Sequence, residues 1–316
     1  MAKLITIEEG ELSDFISSRA HKDKYCKVLE GGNILFFPKC PFDFPKEELD
    51  FFLSQKQTGS TARKNIAYKP QSNKITNFVK STPEQEERLL EVMQRYSQRV
   101  TDFLSQLLVP YNSKWRLDYA SFRPFQEKGR KLRIRARNDL LHVDSFPSRP
   151  MHGSRILRFF TNINPTEKRH WTTTDLFDKL AATFGGDHGV PFPKAAHPFF
   201  SLSKKIGRKL GLPITLRSPY DIFMLNLHNF LKENEEFQKN CPKDYWEFPP
   251  NSCWAVFTDQ VSHAATAGQY ALEQTIIVPR DALVKAEQSP IAVLEKMTNR
   301  SMVDPLFTCM NRSNCK

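Results

Sequence analysis

The sequence predicts a mainly β protein with helical decoration, an antiparallel sandwich or barrel rather than a series of alternating βαβ units. Three observations lead there. Past Pro110 the hydrophobic period changes from 3.6 to 2. The period-2 segments 115–126, 132–144, 155–164, 252–258 and 269–278 are punctuated by glycine and proline turns, such as Glu127-Lys128-Gly129-Arg130. There are only 12 glycines and no Gly-rich phosphate loop, which argues against a dinucleotide-binding or P-loop enzyme.

The helices are read from caps and spacing. Thr82 can cap a helix, Pro83 suits its first turn and Gln85 completes a capping box. Leu89, Met93, Tyr96, Val100, Phe103, Leu104 and Leu107 then recur at helical spacing until Pro110, marking a core-packing helix. A second helix opens at Ser218-Pro219-Tyr220-Asp221, and a last one covers 290–297. The polar stretch 55–80 reads as an exposed excursion. The expected division is an N-terminal flanking region at 1–110, a core at 111–280 with a helical insertion at about 166–250, and a C-terminal helix and tail at 281–316.

Composition excludes several classes. The charged and apolar fractions, 26% and 40%, are those of globular chains. No stretch approaches the ~18 uncharged apolar residues of a membrane span. The start, Met1-Ala2-Lys3-Leu4 leading to Glu8-Glu9, lacks the apolar centre of a secretory signal. None of the cysteines at 26, 40, 241, 253, 309 and 315 forms Cys-x-x-Cys. Reduced thiols and a cytoplasmic location are expected.

One short motif carries chemistry. His142-Val143-Asp144 puts an imidazole and a carboxylate on the same side of a strand, continuing the face of Leu132, Ile134, Ala136 and Leu140. An inward Asp beside a His is costly unless a cation sits there. With a histidine from a distant strand, the pair would make the facial triad of non-haem Fe(II), with three positions left open. A structural His–Asp hydrogen bond is the other reading. His263, late in the fold, is the favoured third member. His228 lies mid-helix among Leu225, Leu227 and Phe230 and suits a core or surface role; His152 could line the mouth. In the segment 155–164 the even positions Arg158, Phe160, Asn162 and Asn164 form a polar set in an apolar frame. An interior Arg158 suits an anionic co-substrate, whereas Arg155 points away or sits at the rim.

Three runs carry a resemblance: Arg137-Asn138-Asp139-Leu140-Leu141-His142-Val143-Asp144-Ser145-Phe146-Pro147-Ser148-Arg149-Pro150, the stretch from Gly153 to Pro165, and Asp259-Gln260-Val261-Ser262-His263-Ala264-Ala265. They resemble the Kdo hydroxylases, bacterial Fe(II)/2-oxoglutarate-dependent dioxygenases that hydroxylate 3-deoxy-D-manno-oct-2-ulosonic acid of the lipopolysaccharide inner core. The resemblance spans roughly 115–279. It implies a double-stranded β-helix (jelly roll), with His142, Asp144 and His263 as iron ligands. It further implies 2-oxoglutarate and O₂ as co-substrates, going to succinate and CO₂, and Kdo-lipid A as the anionic glycolipid substrate. Many relatives in the wider superfamily bind the distal carboxylate with an Arg about ten residues beyond the second histidine. Here Leu272-Glu273-Gln274-Thr275 stands in that region. Arg158 is therefore the expected anchor, with Asn162 and Gln274 as lesser partners and Arg155 as the alternative.

The chain has 46 Lys plus Arg against 35 Asp plus Glu, a formal charge of +11. From Asn112 to Asp139, nine basic and three acidic residues give a net of +6. Arg133, Arg135 and Arg137 form an expected outward row, while Arg123, Arg149 and His152 are expected at the barrel mouth as substrate contacts. Lys204, Lys205, Arg208 and Lys209 oppose Leu202, Ile206 and Leu210 if helical. That is a basic amphipathic turn suited to the inner face of the bacterial inner membrane, or an ordinary solvated face. Two other functions remain open here: a 2-oxoglutarate oxygenase acting on a protein side chain or small metabolite, and a basic nucleic-acid-binding protein. The latter rests on charge alone, since no RNP-like, zinc-finger or helix-turn-helix signature accompanies it.

Overall fold

The computed structural model describes residues 1–18, 21–55, 65–194 and 215–303. Its centre is a sheet of eight strands and a facing sheet of three, the layered arrangement of a jelly roll. The large sheet runs β1 (Leu4–Thr6), β2 (Ile34–Phe37), β9 (Cys253–Phe257), β6 (Arg155–Asn162), β11 (Ala271–Val278), β5 (Arg116–Arg123), β3 (Ile66–Lys69), β4 (Lys74–Thr76). The small sheet runs β10 (Val261–Ala267), β7 (Arg169–Leu176), β8 (Asp244–Phe248). All pairings are antiparallel except β1 with β2.

Alternation along β6 divides the molecule. Its odd residues Leu157 and Phe159 join the aromatic core beneath the long helix Pro83–Leu107, and Tyr96 hydroxyl lies 3.2 Å from that of Thr161. Its even residue Phe160 faces the small sheet and packs against Trp171 and Trp254, at ring separations of 4.8 and 5.1 Å. Gln274 is paired with Phe159 and Glu273 with Phe160, so adjacent residues of β11 serve opposite faces.

The long helix starts at Thr82, whose Oγ1 accepts from the Gln85 amide, one half of the expected capping box. Its predicted apolar stripe is buried from Leu89 to Leu107. The second helix, Pro219–Glu233, carries a full capping box between Ser218 and Asp221. Asp221 also accepts the amides of Met151 and His152, at 2.7 and 3.0 Å, tying this helix to the loop that enters β6. Burial favours the neutral acid, but His152 and Ser218 hold the Asp221 carboxyl below its usual range. The last helix covers Pro290–Thr298.

Several expectations change. The segment 132–144 is not a strand: 134–136 is a 3₁₀ turn, and regular pairing is reduced to one bridge between His142 and His263. Ile134 is consequently 41% exposed rather than inward. The turn interrupts the alternation, so an argument about one face cannot be carried through it. Of the expected arginine row, Arg133 and Arg135 are exposed, but Arg137 is half-buried against Asp139 at 2.6 Å. The excursion 55–80 contains the β3–β4 hairpin at the sheet edge. Strands β1 to β4 make residues before 110 part of the sheet, and β7 and β8 lie within 166–250. The basic stretch 204–209 and the cysteines 309 and 315 fall outside the described residues.

Gly268, in the turn between β10 and β11, has φ +107°, and a Cβ there would lie 2.9 Å from Arg169 Cα and 3.1 Å from the Lys168 carbonyl oxygen. Those are backbone atoms with no rotamer to yield. Gly268→Ala should lower unfolding free energy by ~2 kcal/mol or more. An unchanged urea midpoint with the same slope would show that this turn is not constrained as described.

Candidate metal and co-substrate site

The segment 138–144 lies along β10 without being a regular strand. His142 and His263 exchange both backbone hydrogen bonds, at 3.1 and 2.9 Å, while the Ala265 amide donates to Asn138 and the Asp144 amide to Thr258. These bonds present His142 and Asp144 on one side, as their spacing requires. Both line a cavity between the sheets with Arg123, Asn138, Arg158, Phe160, Arg169, Trp171, His263 and Ala265. His142 Nε2 is 3.6 Å from Asp144 Oδ1, and the rings of His142 and His263 are 4.8 Å apart. Trp171 stacks on His263 with 17° between planes.

Each histidine is oriented through its other nitrogen. His142 Nδ1 is 2.7 Å from the Leu140 carbonyl oxygen, and His263 Nδ1 is 2.9 Å from that of Val261. A carbonyl only accepts, so both Nδ1 atoms carry the proton and both Nε2 atoms keep a lone pair, the form that ligates metals. Burial pushes both imidazoles below their usual pKa, His142 far below, with buried Lys232 adding to the effect on His142. Burial alone would raise Asp144, but the Arg158 charge and the His142 contact hold its carboxyl well below the usual range. Arg158 Nε sits 3.0 Å from Asp144 Oδ2, yet the approach is poorly aligned and leaves that oxygen without a hydrogen bond. Two imidazole lone pairs beside an anionic oxygen with unused acceptor capacity form a donor set that fits a divalent cation.

The arginines form a buried network. Arg123 donates to Glu273 at 3.0 and 2.7 Å and contacts Glu127 at 3.4 Å. Arg158 Nη1 donates to Glu273 at 2.9 Å, and Arg169 Nη2 to Glu127 at 3.2 Å. Glu273 and Glu127 would be raised by burial, but these guanidinium groups bring both below their usual values. Arg169 is lowered, because its desolvation outweighs the attraction of Glu127. The cavity thus offers three guanidinium groups to an anion while its own carboxylates keep them compensated.

The remaining predicted residues are elsewhere. Gln274 accepts from Ser97 and donates to the Asp118 carbonyl on the long-helix side of the sheet, as its register with Phe159 dictates. Asn162 donates to the carbonyls of Glu167 and Phe248 and so ties strand ends together. Arg155 is fully buried against Asp259 and Gln260, over the Phe257 ring. None of the three lines the cavity, and each is committed to the framework. Arg123 is a wall of the cavity rather than a group at its mouth. Arg149 pairs with Asp118 at 3.1 Å and covers Tyr119 and Phe146. His152 Nδ1 lies 3.0 Å from Asp221 Oδ2, at the start of the Pro219–Glu233 helix. Glu273, Glu127, Arg169, Trp171 and His228 were not singled out for the site by spacing. Parity with Phe160 could have flagged Glu273, whereas Arg169 and Trp171 lie on a strand that the sequence leaves unmarked.

A two-sheet sandwich that gathers two imidazoles and a carboxylate beside buried arginines is the architecture of a mononuclear non-haem iron oxygenase. The chain belongs to the 3-deoxy-D-manno-oct-2-ulosonic acid (Kdo) hydroxylase family, whose family model matches residues 14–301. It is similar to the apo structure of the Kdo hydroxylase KdoO, a non-haem Fe(II) and α-ketoglutarate-dependent dioxygenase: 34% identity, 95% of this chain and 97% of that one, TM-score 0.80. The cobalt(II) complex of KdoO matches at 34% identity, 96% and 98% coverage and TM-score 0.81. Its complex with α-ketoglutarate and Fe(III) matches at 34%, 95% and 97%, with TM-score 0.80. No curated protein matches the sequence.

Glu273→Gln leaves Arg123 and Arg158 short of a buried counter-charge and should cost ~3–5 kcal/mol at pH 7. Because the Arg123 and Arg158 guanidinium groups hold the Glu273 carboxyl below its usual range despite its burial, its contribution is present above the usual glutamate range and lost as pH falls through the folded value. Urea titrations should therefore give a shallower acid limb for the variant. Parallel curves for both proteins from pH 7 to pH 3 would contradict this role.

Proposed function

We propose that this chain is an Fe(II)/2-oxoglutarate-dependent hydroxylase acting on a Kdo sugar of Kdo-lipid A. The observation that carries the reading is the donor set His142, Asp144 and His263 in an arginine-lined cavity, within a chain of the Kdo hydroxylase family. The three side chains would hold iron on one face, leaving the opposite face to 2-oxoglutarate and O₂. With those co-substrates the iron supplies the oxidising power, one oxygen atom going to succinate as CO₂ leaves and the other to a C–H bond of the sugar.

The protein's share is placement and electrostatics. The Nδ1 hydrogen bonds fix both imidazole rings, and Arg158 keeps Asp144 ionised. Arg158 is the proposed anchor for the distal carboxylate, with Arg123 and Arg169 as neighbouring charges. Phe160 and Trp171 form an apolar wall that limits water. Arg149, half-buried beside Asp144 and Phe146 in an adjoining cavity, is the better supported of the proposed substrate contacts. Exposed Lys128, Lys131 and Arg133 lie on the loop that leads to Asn138 and would attract sugar carboxylates and lipid phosphates. Peripheral contact with the inner face of the inner membrane belongs to the same proposal. No described helix is long and apolar enough to cross a membrane.

Purified protein given Kdo-lipid A, Fe(II), 2-oxoglutarate and O₂ should add 16 Da to a Kdo unit, with one succinate per product. Succinate formation without that mass gain would move the substrate elsewhere. Arg158→Ala should raise the KM for 2-oxoglutarate on the order of 10-fold or more, since a hydrogen bond to a charged group is worth ~1.5–3 kcal/mol. An unchanged KM would assign the carboxylate to Arg123 or Arg169.

A further inference from the structure

Cations and aromatic rings alternate in a chain of contacts that leads out of the cavity. The Arg158 guanidinium carbon lies 5.4 Å from the centre of the Phe146 ring, and that of Arg149 lies 4.3 Å from the same ring. Arg149 is also 4.0 Å from the Tyr119 ring, and Lys69 Nζ is 5.3 Å from it. Such contacts hold a cation in place without neutralising it. A bulge in β5 sets the middle of the chain: Gln274 pairs with Ala120 and Ile276 with Leu117, so Asp118 and Tyr119 together oppose Thr275. Arg158 is committed to Asp144 and Glu273. Arg149 is not committed in that way. Its Nη2 is 3.1 Å from Asp118 Oδ2, yet the approach leaves that oxygen without a hydrogen bond, and Arg149 Nε is buried without one. Burial pushes the Asp118 carboxyl above its usual range against the pull of Arg149, which makes it a weak counter-charge. Arg149 also lines a small cavity with Asp144, Ser145 and Phe146, beside the donor set. A buried guanidinium N–H without an acceptor, next to such a cavity, suits a planar anion from outside.

We propose that Arg149, held between Phe146 and Tyr119, recognises the carboxylate of the acidic sugar presented to the metal site, exchanging Asp118 for it, while Lys69 extends the positive path toward the surface. The inference rests on the hydroxylase reading above and assigns one anionic group of the substrate to one residue. Phe146 then stands between two arginines with different duties. Arg158 is the proposed anchor of the co-substrate, and Arg149 selects the substrate. A guanidinium fork matches a carboxylate through paired N–H groups, which an ammonium in its place would not do. Asp118 is the positioning residue: it keeps Arg149 over the two rings until the substrate carboxylate replaces it.

The test is equilibrium binding of the full-length protein, loaded with Fe(II) and 2-oxoglutarate under argon, to detergent micelles carrying Kdo-lipid A or its Kdo methyl ester. Both forms carry the same lipid phosphates, so the difference between them isolates the sugar carboxylate. The wild-type protein should bind the acid on the order of 10-fold more tightly than the ester, the factor of one hydrogen bond to a charged group. Arg149→Gln should bind the acid on the order of 10-fold more weakly and lose the preference, with binding of 2-oxoglutarate unchanged. Lys69→Gln should weaken binding of both forms about 3-fold and keep the preference, as a surface charge does. Should Arg149→Gln fail to fold by circular dichroism, Arg149→Lys retains the charge and should still show a preference reduced about 3-fold. A preference undiminished in the Arg149 variants, or a wild-type protein indifferent to esterification, overturns the role of Arg149 and leaves the hydroxylase reading standing. A wild-type protein that binds neither form overturns that reading and this inference together.

Discussion

A buried ion network fastens the two sheets together around the cavity. Arg123, Arg130, Arg158 and Arg169 meet Asp144, Glu127 and Glu273 through contacts of 2.7 to 3.4 Å. Any one of these charges, stranded in a dry interior, would cost several kcal/mol. Together they compensate one another and link β5, β6, β7 and β11 with the loop of Glu127 and the segment of Asp144. Four positive and three negative groups sum to +1. Adding a divalent cation and a dicarboxylate leaves that sum unchanged, so metal and co-substrate enter without unbalancing the interior.

This network also reaches one of the donors. Arg158 belongs both to the framework, through Glu273, and to the donor set, through Asp144. Its second role is possible because Glu273 and Phe160 share the inner face of the sheet while Gln274 and Phe159 share the outer one. A register slip of one residue in β11 would exchange Glu273 for Gln274 and take from Arg123 and Arg158 the carboxylate they share. Fold and site are specified by the same alternation.

What the sequence made legible follows from the range of each signal. His142 and Asp144 are two residues apart, so their common direction survives even though the surrounding segment is not the long strand that alternation suggested. The long helix was readable from its cap and stripe because both are local. The anchoring of Arg155, Asn162 and Gln274 was not, since it depends on Asp259, Phe248 and Ser97, partners separated from them by 86 to 177 positions. His228 was read as a core or surface histidine from its apolar neighbours on the helix. Its position beside Asp144 is set by the packing of that helix on the segment 141–143, which no spacing records. The charge excess divides in the same way: the arginines inside are compensated, and Lys128, Lys131 and Arg133 remain at the surface.

The fold holds its donors deprotonated before any cation arrives: Asp144 ionised by Arg158, and His142 and His263 neutral by burial. The most direct measurement is calorimetric titration of the metal-free protein with Mn(II) at pH 7 in buffers of different ionisation enthalpy. Metal binding releases protons only where ligands must first lose them. The binding enthalpy should be the same in every buffer, with close to no proton released. Release of one or more protons per metal ion would show that the cavity does not prepare its ligands.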